Sequence, residues 1–474
     1  MTNKKKKMKN AGFSSKPEVN LNKSLPRVLV DIFKHGDIFT KLSFLIMGFS
    51  NIVRGQIIKG CIFLTTQISF LYFMLKNKGG LFTLKGLTTL GEIDYQEPVG
   101  FEAAVPGDDS RRFLLYGVAT VVLCFLFLVI WQESIKSGYI AQCCTKGGKK
   151  PTSFVQDIKD YFDSKIHRTF LCLPIIGIGI MTIIPIIFMI CIAFTNFDRK
   201  HNGVYQRFEW RGFEAFGRVL DMTSGSKYSY TFWHLLGWTI IWAFFATFTC
   251  YIGGILISLL INRKSVKFKT LWRTLFILSA ATPQFVTLLL MRSFLEDNGL
   301  LNGILVQLGL FESMEAAPSW LSDPTLAKIM VIMVNMWIGI PFTIMITTGI
   351  LQNIPADLYE AAKIDGANNV TIFFKITIPY MIFVTTPYLI QTFIGNVNNF
   401  NVIYLLTAGK PTNVNFDKAG HTDLLVTWLY KLSMQYNEYN IASVVGILVF
   451  VISATLSLLV YRNSGSYNNE EEFQ

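Results

Sequence analysis

The chain has 474 residues, of which 51% are hydrophobic, 14% aromatic and only 16% charged. Its 40 phenylalanines lie mostly in long uncharged runs, and the core of a water-soluble domain could not bury them all. This composition excludes an ordinary soluble globule, so most of the apolar surface is expected to face lipid. In a membrane protein, the formal net charge of +12 indicates basic residues on the cytoplasmic side rather than a nucleic-acid partner.

Eight apolar stretches are long enough to cross a bilayer, which takes about 18 residues or more. They lie at roughly 57–75, 113–131, 170–194, 235–261, 274–291, 329–351, 376–400 and 441–461. A shorter apolar run, Leu42 to Phe49, is followed by Arg54 and Lys59 and is predicted to lie at the interface or against the bundle. The sequence therefore predicts an all-α integral membrane protein with about eight transmembrane helices.

The basic residues are distributed unequally between the two sides of the membrane. Lysines and arginines number 26 on the side that holds the N-terminus and 16 on the other. The positive-inside rule then predicts a multi-pass protein of the cell membrane with both termini in the cytoplasm. The predicted organisation is a basic tail over 1–41, an interfacial segment with two helices over 42–164, a six-helix core over 165–462 and an acidic cytoplasmic tail over 463–474.

Motifs for nucleotide, metal or covalent chemistry are missing from the sequence. It contains no phosphate-binding loop, no H-E-x-x-H pair and no G-x-S-x-G elbow. The neighbouring Cys143 and Cys144 lack the second pair of ligands that a zinc site needs. We therefore expect a chain that is not an enzyme, that hydrolyses no ATP alone, and that holds no metal or cofactor.

The polar residues inside the spans are amides and hydroxyls. Spans three to eight contain no Asp, Glu, Lys or Arg, which argues against a proton relay and favours a neutral solute driven by energy from elsewhere. Amides can bond sugar hydroxyls, and Trp337, Phe342 and Phe393 could cover the faces of sugar rings. The alternative is that these amides only join helix to helix. The amides in question are Asn335, Gln391, Asn396, Asn398, Asn399 and Asn401.

The segment between spans six and seven carries the sharpest local pattern. It reads Glu360-Ala361-Ala362-x3-Gly366-x9-Ile376-x-Ile378-Pro379, which resembles the EAA signature of ABC-importer permeases. Independently of that resemblance, a short helix is predicted to start at Asn353 or Pro355 and to end at a left-handed Gly366. A second short stretch, 370–375, then leads into span seven. The alternative is an ordinary pair of surface helices.

Further segments extend the resemblance over most of residues 165–462. They are Asn335–Phe342, Phe373–Pro379, Asn398–Phe400 and Gly420–Val426, and together they resemble the eight-span permease of maltose/maltodextrin importers, the MalF type. The resemblance implies a second permease subunit, an ABC ATPase dimer that binds ATP and Mg, and an extracellular solute-binding protein. The external loop at about 195–232 is too short for the large external domain of some relatives, which fits a tethered lipoprotein receptor.

The same resemblance assigns roles to particular residues. ATPase coupling is implied for Glu360, Ala361, Ala362 and Gly366. Sugar contacts are implied for Asn335, Ile338, Gly339, Phe342, Thr392, Gly395, Asn396 and Asn399. The expected function is half of the translocation pathway of a maltodextrin-type importer, and the alternatives are an importer for another oligosaccharide or a glycerol phosphate, or a non-transporting membrane scaffold.

Overall fold

The computed structural model describes residues 25–97, 107–164, 166–201, 206–263 and 266–462. The predicted acidic tail and the first 24 residues of the predicted basic tail lie outside these ranges. Within them, helices are the only extended regular elements, which confirms the all-α prediction. The chain divides into two compact units: residues 1–191 with 200–210, and residues 192–199 with 211–474. The third predicted span lies mainly in the first of these units.

Among the residues that the structure describes, nine helices belong to the first unit. They are α1 Leu25–His35, α2 Ile38–Leu42, α3 Phe49–Val53, α4 Ile57–Leu75, α5 Gly80–Thr89, α6 Ser110–Lys146, α7 Phe154–Phe162, α8 Ile166–Ile178 and α9 Ile184–Ile192, whose last residue falls in the second unit. A π-helical turn, Gly179–Ile183, joins α8 to α9. The long helix α6 is the axis of this unit: α4 packs on it through Phe70, whose ring stacks on Phe127 at a centroid distance of 3.9 Å.

The segment 37–56 folds against the end of α6 through polar contacts. Thr40 donates its hydroxyl to Gln142 Oε1 at 2.8 Å, and the backbone N–H of Gly48 donates to Ser134 Oγ at 3.0 Å. Burial opposes ionisation of Asp37, but hydrogen bonds from Arg54 and Thr40 outweigh it and lower the pKa of that carboxyl. The run 42–49 thus joins two helices of five residues each, which are too short to span a membrane.

The second unit holds the remaining helices. They are α10 Glu214–Leu220, α11 Lys227–Asn262, α12 Lys269–Ala281, α13 Gln284–Leu295, α14 Leu300–Gln307, α15 Pro324–Gln352, α16 Ala356–Ile364, α17 Asn369–Ile372, α18 Ile378–Val397, α19 Phe400–Leu406, α20 Leu425–Tyr430 and α21 Tyr439–Arg462. Helix α11 is central and packs on both α15 and α18. One buried cluster, which includes Trp242, Val334 and Val397, holds these three helices together.

Seven helical segments of the described chain are long and apolar enough to cross a membrane, and they coincide with seven of the eight predicted spans. The predicted span at 274–291 differs, because it consists of α12 and α13 with a break at Thr282 and Pro283. Proline has no N–H to continue a helix, and it disfavours a helical residue before it. Thr282 accordingly has the extended values φ −71° and ψ 130°. The prediction of about eight transmembrane helices therefore holds with one span interrupted.

Candidate functional site

Helix α16 ends in a turn that closes its own backbone hydrogen bonds. Gly366 has φ +78°, its N–H donates to the carbonyl of Lys363 at 3.0 Å, and the N–H of Ala367 donates to the carbonyl of Ala362 at 2.9 Å. This pair of bonds is the Schellman arrangement, which places a left-handed residue just after the helix. The predicted helix ending at a left-handed Gly366 is confirmed.

The next helix begins almost immediately after this turn. Asn368 caps it by accepting the N–H of Thr371 on Oδ1 at 2.8 Å. From α17 the chain continues through a π-helical turn, Phe373–Thr377, into α18. The predicted short stretch that leads into span seven is therefore helical, and α16, the turn and α17 form a helix–turn–helix, which we call the α16–α17 hairpin (356–372).

One face of helix α16 packs against the rest of the second unit, and the opposite face is exposed. Tyr359 packs in a cluster with Tyr251, Ile354 and Met381, and its hydroxyl lies 3.3 Å from Thr377 Oγ1. No side chain of α16 is buried, and among its apolar residues Leu358 is 45% and Ile364 87% exposed. Glu360 and Ala361 are exposed as well, and Ala362 is half-buried. The hairpin therefore offers a mixed apolar and acidic surface that its own chain leaves uncovered.

Asn335 and Gly339 lie where α15 packs closely against α11. Asn335 is buried, and its Nδ2 donates to the carbonyl of Ala246 at 3.4 Å. A Cβ atom at Gly339 would lie 2.6 Å from Cys250 Sγ. The glycine thus allows the two helices to approach, and the amide of Asn335 is used within the chain.

Asn396 and Asn399 form a bonded pair at the end of α18. Buried Asn396 donates Nδ2 to Thr247 Oγ1 at 3.0 Å and accepts Asn399 Nδ2 on its own Oδ1 at 3.2 Å. Asn399 also caps α19 by accepting the N–H of Val402 at 3.2 Å. Trp242 donates Nε1 to the Asn396 carbonyl at 3.0 Å. The structure therefore brings these two predicted residues together as part of the α11–α18 contact.

The other four predicted sugar contacts differ in exposure. Ile338 is partly buried and packs against the cluster that includes Trp242. The hydroxyl of Thr392 donates to the carbonyl of Tyr388 in the same helix. Phe342 is 49% exposed and Gly395 is exposed, with open space where a Cβ would stand. Only these last two positions offer freely accessible surface.

Two residues of α11 that sequence reasoning did not single out organise this region. Trp242 is fully buried and Thr247 is 1% exposed, and both bond Asn396. Indole and hydroxyl groups inside an apolar span need a hydrogen-bond partner. This requirement could have indicated from the sequence that Trp242 and Thr247 contact a polar group. The sequence could not name the partner, because Thr247 and Asn396 are far apart along the chain.

The loop that follows α19 contains a buried carboxylate. Asp423 is fully buried and accepts three bonds: from Lys431 Nζ at 2.6 Å, from the N–H of Gly420 at 2.8 Å and from the Thr427 hydroxyl at 2.8 Å. Burial raises the pKa of the Asp423 carboxyl, against the opposing influence of the Lys431 ammonium. Gly409 packs against this carboxylate, where a Cβ would lie 2.1 Å from Oδ1. All three donors belong to residues 420–431, so the carboxylate bonds its own neighbourhood in the chain.

No cluster of three or more His, Cys, Asp or Glu side chains that could hold a metal ion occurs within the residues that the structure describes.

The described helices make this chain a multi-pass helical membrane protein. Residues 251–465 match the sequence model of the family described as binding-protein-dependent transport system inner membrane component. The chain belongs to this family. The sequence resemblance to ABC-importer permeases is thereby confirmed, as is the expectation of a membrane subunit that is not an enzyme.

Relatives of known name extend the similarity across the chain. The galactooligosaccharides transport system permease protein GanP of Bacillus subtilis is 32% identical over 90% of this chain and 97% of its own length. The maltodextrin transport system permease protein MdxF of the same species is 31% identical over 90% and 95%. The maltose/maltodextrin permease MalF of Vibrio cholerae is 38% identical, but over 48% of this chain and 43% of its own length.

Solved structures support the fold. A chain from a crystal structure of a bacterial ABC transporter involved in the import of the acidic polysaccharide alginate matches with a TM-score of 0.52 at 22% identity, over 65% of this chain and 97% of that chain. A second match is the bacterial alginate ABC transporter in complex with an alginate pentasaccharide-bound periplasmic protein, with a TM-score of 0.52 at 21% identity, over 64% of this chain and 95% of that chain.

Proposed function

We propose that this chain is one of two permease subunits in an ATP-driven importer of maltodextrin-like oligosaccharides. Relatives aligned over nine-tenths of the chain are named as permeases for maltodextrin and for galactooligosaccharides, which supports an oligosaccharide substrate. The uncharged interior of spans three to eight favours a neutral sugar. The proposed partners are a second permease, an ABC ATPase dimer that binds ATP and Mg, and an extracellular solute-binding protein; this chain itself holds no cofactor.

The proposed mechanism is alternating access. Docking of the loaded binding protein and closure of the ATPase dimer bias the two permeases between an inward-open and an outward-open state. This chain contributes half of the pathway and one contact with the ATPase. Both termini are proposed to be cytoplasmic on the basis of the 26 to 16 asymmetry in basic residues. Cysteine-accessibility labelling tests this, and labelling of the C-terminus from outside would contradict it.

The observation that carries the proposal is the α16–α17 hairpin. Its surface combines the exposed Glu360 carboxylate with the exposed side chains of Leu358 and Ile364, on a helix anchored through Tyr359. Apolar side chains beside a carboxylate suit a partner cleft that offers apolar contacts and a charge-assisted hydrogen bond. We propose that Glu360, Ala361 and Ala362 enter such a cleft on the ATPase, and that Gly366 sets the angle of the hairpin.

Glu360→Lys tests this assignment, with Asp357→Lys as the matched control. Both carboxylates are exposed on α16, so the two variants change the net charge of the same helix equally. We expect Glu360→Lys to reduce co-purification of the ATPase and sugar uptake at a normal protein level, and Asp357→Lys to affect both much less. Equal behaviour of the two variants, or full ATPase retention with full uptake in Glu360→Lys, would contradict the assignment.

The eight proposed sugar-pathway residues fall into two groups by their bonding. Phe342, Gly395, Thr392 and Ile338 present exposed or partly exposed surface to a solute. Asn335, Gly339, Asn396 and Asn399 are proposed as positioning residues, because their contacts hold α15 and α18 against α11. Phe342→Ala is therefore expected to change the apparent affinity for sugar, whereas Asn335→Leu is expected to lower the amount of folded protein.

A galactooligosaccharide is the second candidate substrate, because the relative named for that sugar is as similar as the maltodextrin permeases. The decisive measurement is the ATPase activity of the reconstituted complex with its binding protein across maltodextrins, galactooligosaccharides and glycerol phosphate. Stimulation by maltodextrins alone supports the proposal. Stimulation by none of them, with an active ATPase, would contradict an oligosaccharide importer of this type.

A further inference from the structure

Helix α7 (154–162) connects the ends of two transmembrane helices at one face of the first unit. Its start is held at the first turn of α4, because Gln56, which precedes α4, donates Nε2 to the carbonyl of Thr152 at 2.8 Å. Its end leads within a few residues to α8, in which the third apolar span starts at Thr169. Both ends of α7 therefore lie close to the starts of apolar spans.

The two faces of α7 are chemically different. At about 3.6 residues per turn, its apolar residues fall within roughly a third of the circumference. They are Phe154, Val155, Ile158, Tyr161 and Phe162. Val155 and Phe162 are 61% and 67% exposed, and no residue of α7 is buried. Its own chain thus leaves this apolar face largely uncovered.

The polar face is the one attached to the protein. Asp157 forms an ion pair with Lys59 of α4, with 2.9 Å between Nζ and Oδ2, and it also accepts the hydroxyl of Thr152 at 2.8 Å. Lys59 lies in the first turn of a membrane-spanning helix, where an unpaired charge is costly, and Asp157 compensates it. At about 100° per residue, Val155 and Phe162 lie on the side of α7 away from Asp157, so this pair leaves these two side chains exposed.

Basic and acidic residues both lie near this helix, with Asp160 and Asp163 at its end. Lys146, Lys149 and Lys150 lie shortly before it, and Lys159 lies beside the apolar stripe at about 3.6 residues per turn. A lysine beside an apolar face can bury its stem in the interface while its ammonium contacts headgroups. Such a combination of apolar stripe and flanking lysines binds the surface of a bilayer that carries anionic lipids.

We propose that α7 is an interfacial helix that inserts its apolar face between the lipids and that its lysines bind anionic headgroups. The helix is then a lipid-recognition element of the first unit, with phosphate-bearing anionic lipids as its ligand. Its occupant is the membrane in which the protein itself is embedded, because both ends of the helix lie close to the starts of apolar spans. The proposal does not depend on the sugar, on the ATPase or on the direction of transport.

Photocrosslinking from single positions tests the insertion of the apolar face. The full chain carries a benzophenone-bearing phenylalanine at Val155 or Phe162, with Gln156 on the polar side as the matched control. It is reconstituted into phosphatidylcholine vesicles with one quarter phosphatidylglycerol. After irradiation, mass spectrometry of the intact chain is expected to find several-fold more lipid adducts from positions 155 and 162 than from 156. Equal lipid adducts at the three positions, or adducts to protein at 155 and 162, would overturn the proposal.

A second measurement tests headgroup recognition. The test variant combines Lys149→Glu with Lys159→Glu. The control combines Lys76→Glu with Lys85→Glu, which makes the same change in charge after the other end of α4. The crosslinking yield is measured with and without phosphatidylglycerol. We expect phosphatidylglycerol to raise the yield in the unsubstituted chain and in the control, and not in the Lys149/Lys159 variant. The same dependence on phosphatidylglycerol in all three would contradict recognition by these lysines.

Discussion

The loop after α19 and the α16–α17 hairpin use their polar residues in opposite ways. In the loop, Asp423 is fully buried and saturated by Lys431, Thr427 and a backbone N–H. In the hairpin, Glu360 and the apolar Ile364 are exposed, and the internal bonds are those of the turn backbone, the Asn368 cap and the Tyr359 hydroxyl. A buried polar group such as Asp423 stabilises the fold through its internal bonds. Exposed side chains such as Glu360 and Ile364 are instead available to a partner. Substitutions in the two regions should therefore separate folding from transport.

The largest effect is expected from Lys431→Met, which leaves the buried Asp423 carboxylate without its counter-charge. Breaking a buried ion pair from one side costs about 3 to 5 kcal/mol. The amount of monodisperse protein and its unfolding midpoint in detergent should both fall. Lys410→Met, an exposed lysine of the same loop, is the control and should change stability by less than about 0.5 kcal/mol.

The pH dependence of that variant sharpens the test. Burial already raises the pKa of Asp423, and removal of the lysine raises it further. A carboxyl with a raised pKa binds its proton more readily in the folded than in the unfolded state, so the folded state gains stability as the pH falls through that pKa. The deficit of Lys431→Met should shrink in acid, and a deficit that stays constant would show that lost packing rather than charge is responsible.

Asn396→Leu is expected to lower stability, as Lys431→Met does, although Asn396 lies in the predicted sugar pathway. It leaves Thr247 without the amide that it bonds, at a cost of about 1 to 3 kcal/mol. Thermal unfolding and uptake should decline together. The neighbouring Asn398→Leu removes an exposed amide that bonds only its own helix, and should have little effect. Lost uptake with unchanged stability in Asn396→Leu would place this amide in contact with the solute instead.

Gly366→Val should act on transport rather than on folding. A β-branched residue in the left-handed region is strained by about 1 to 2 kcal/mol, and open space around Gly366 means that no clash adds to it. Uptake and ATPase co-purification should fall at a normal protein level. Gly366→Asn is the matched control, because asparagine tolerates this conformation, and it should retain most of the activity. Equal loss in both variants would show that the angle of the turn is not the cause.

The smallest effect is expected from Asn368→Ala, which removes the cap of α17 at a cost of about 1 kcal/mol. Local fraying should lower uptake modestly without affecting the rest of the chain. Asn368→Ser keeps a capping oxygen and should behave as the unsubstituted protein. Hydrogen exchange at Thr371, whose N–H the cap accepts, should rise in the alanine variant alone, and unchanged exchange would exclude a role for the cap.

The sequence by itself determined the class of the protein, the positions of seven spans and the hairpin. Lipid imposes a simple requirement: an apolar run of sufficient length must become a helix, and its position can be read from composition alone. The end of α16 at Gly366 is likewise determined by local sequence, because a Schellman turn involves only neighbouring residues.

Tertiary structure alone decided which polar side chains are used within the chain. Asn396 and Asn398 are two residues apart and identical in type, yet one reaches Thr247 across a helix contact and the other bonds its own helix. Bonded pairs such as Lys59 with Asp157 and Thr247 with Asn396 join residues far apart in the chain. Burial and partner choice depend on which helices become neighbours, and that packing is a property of the whole chain rather than of any local pattern.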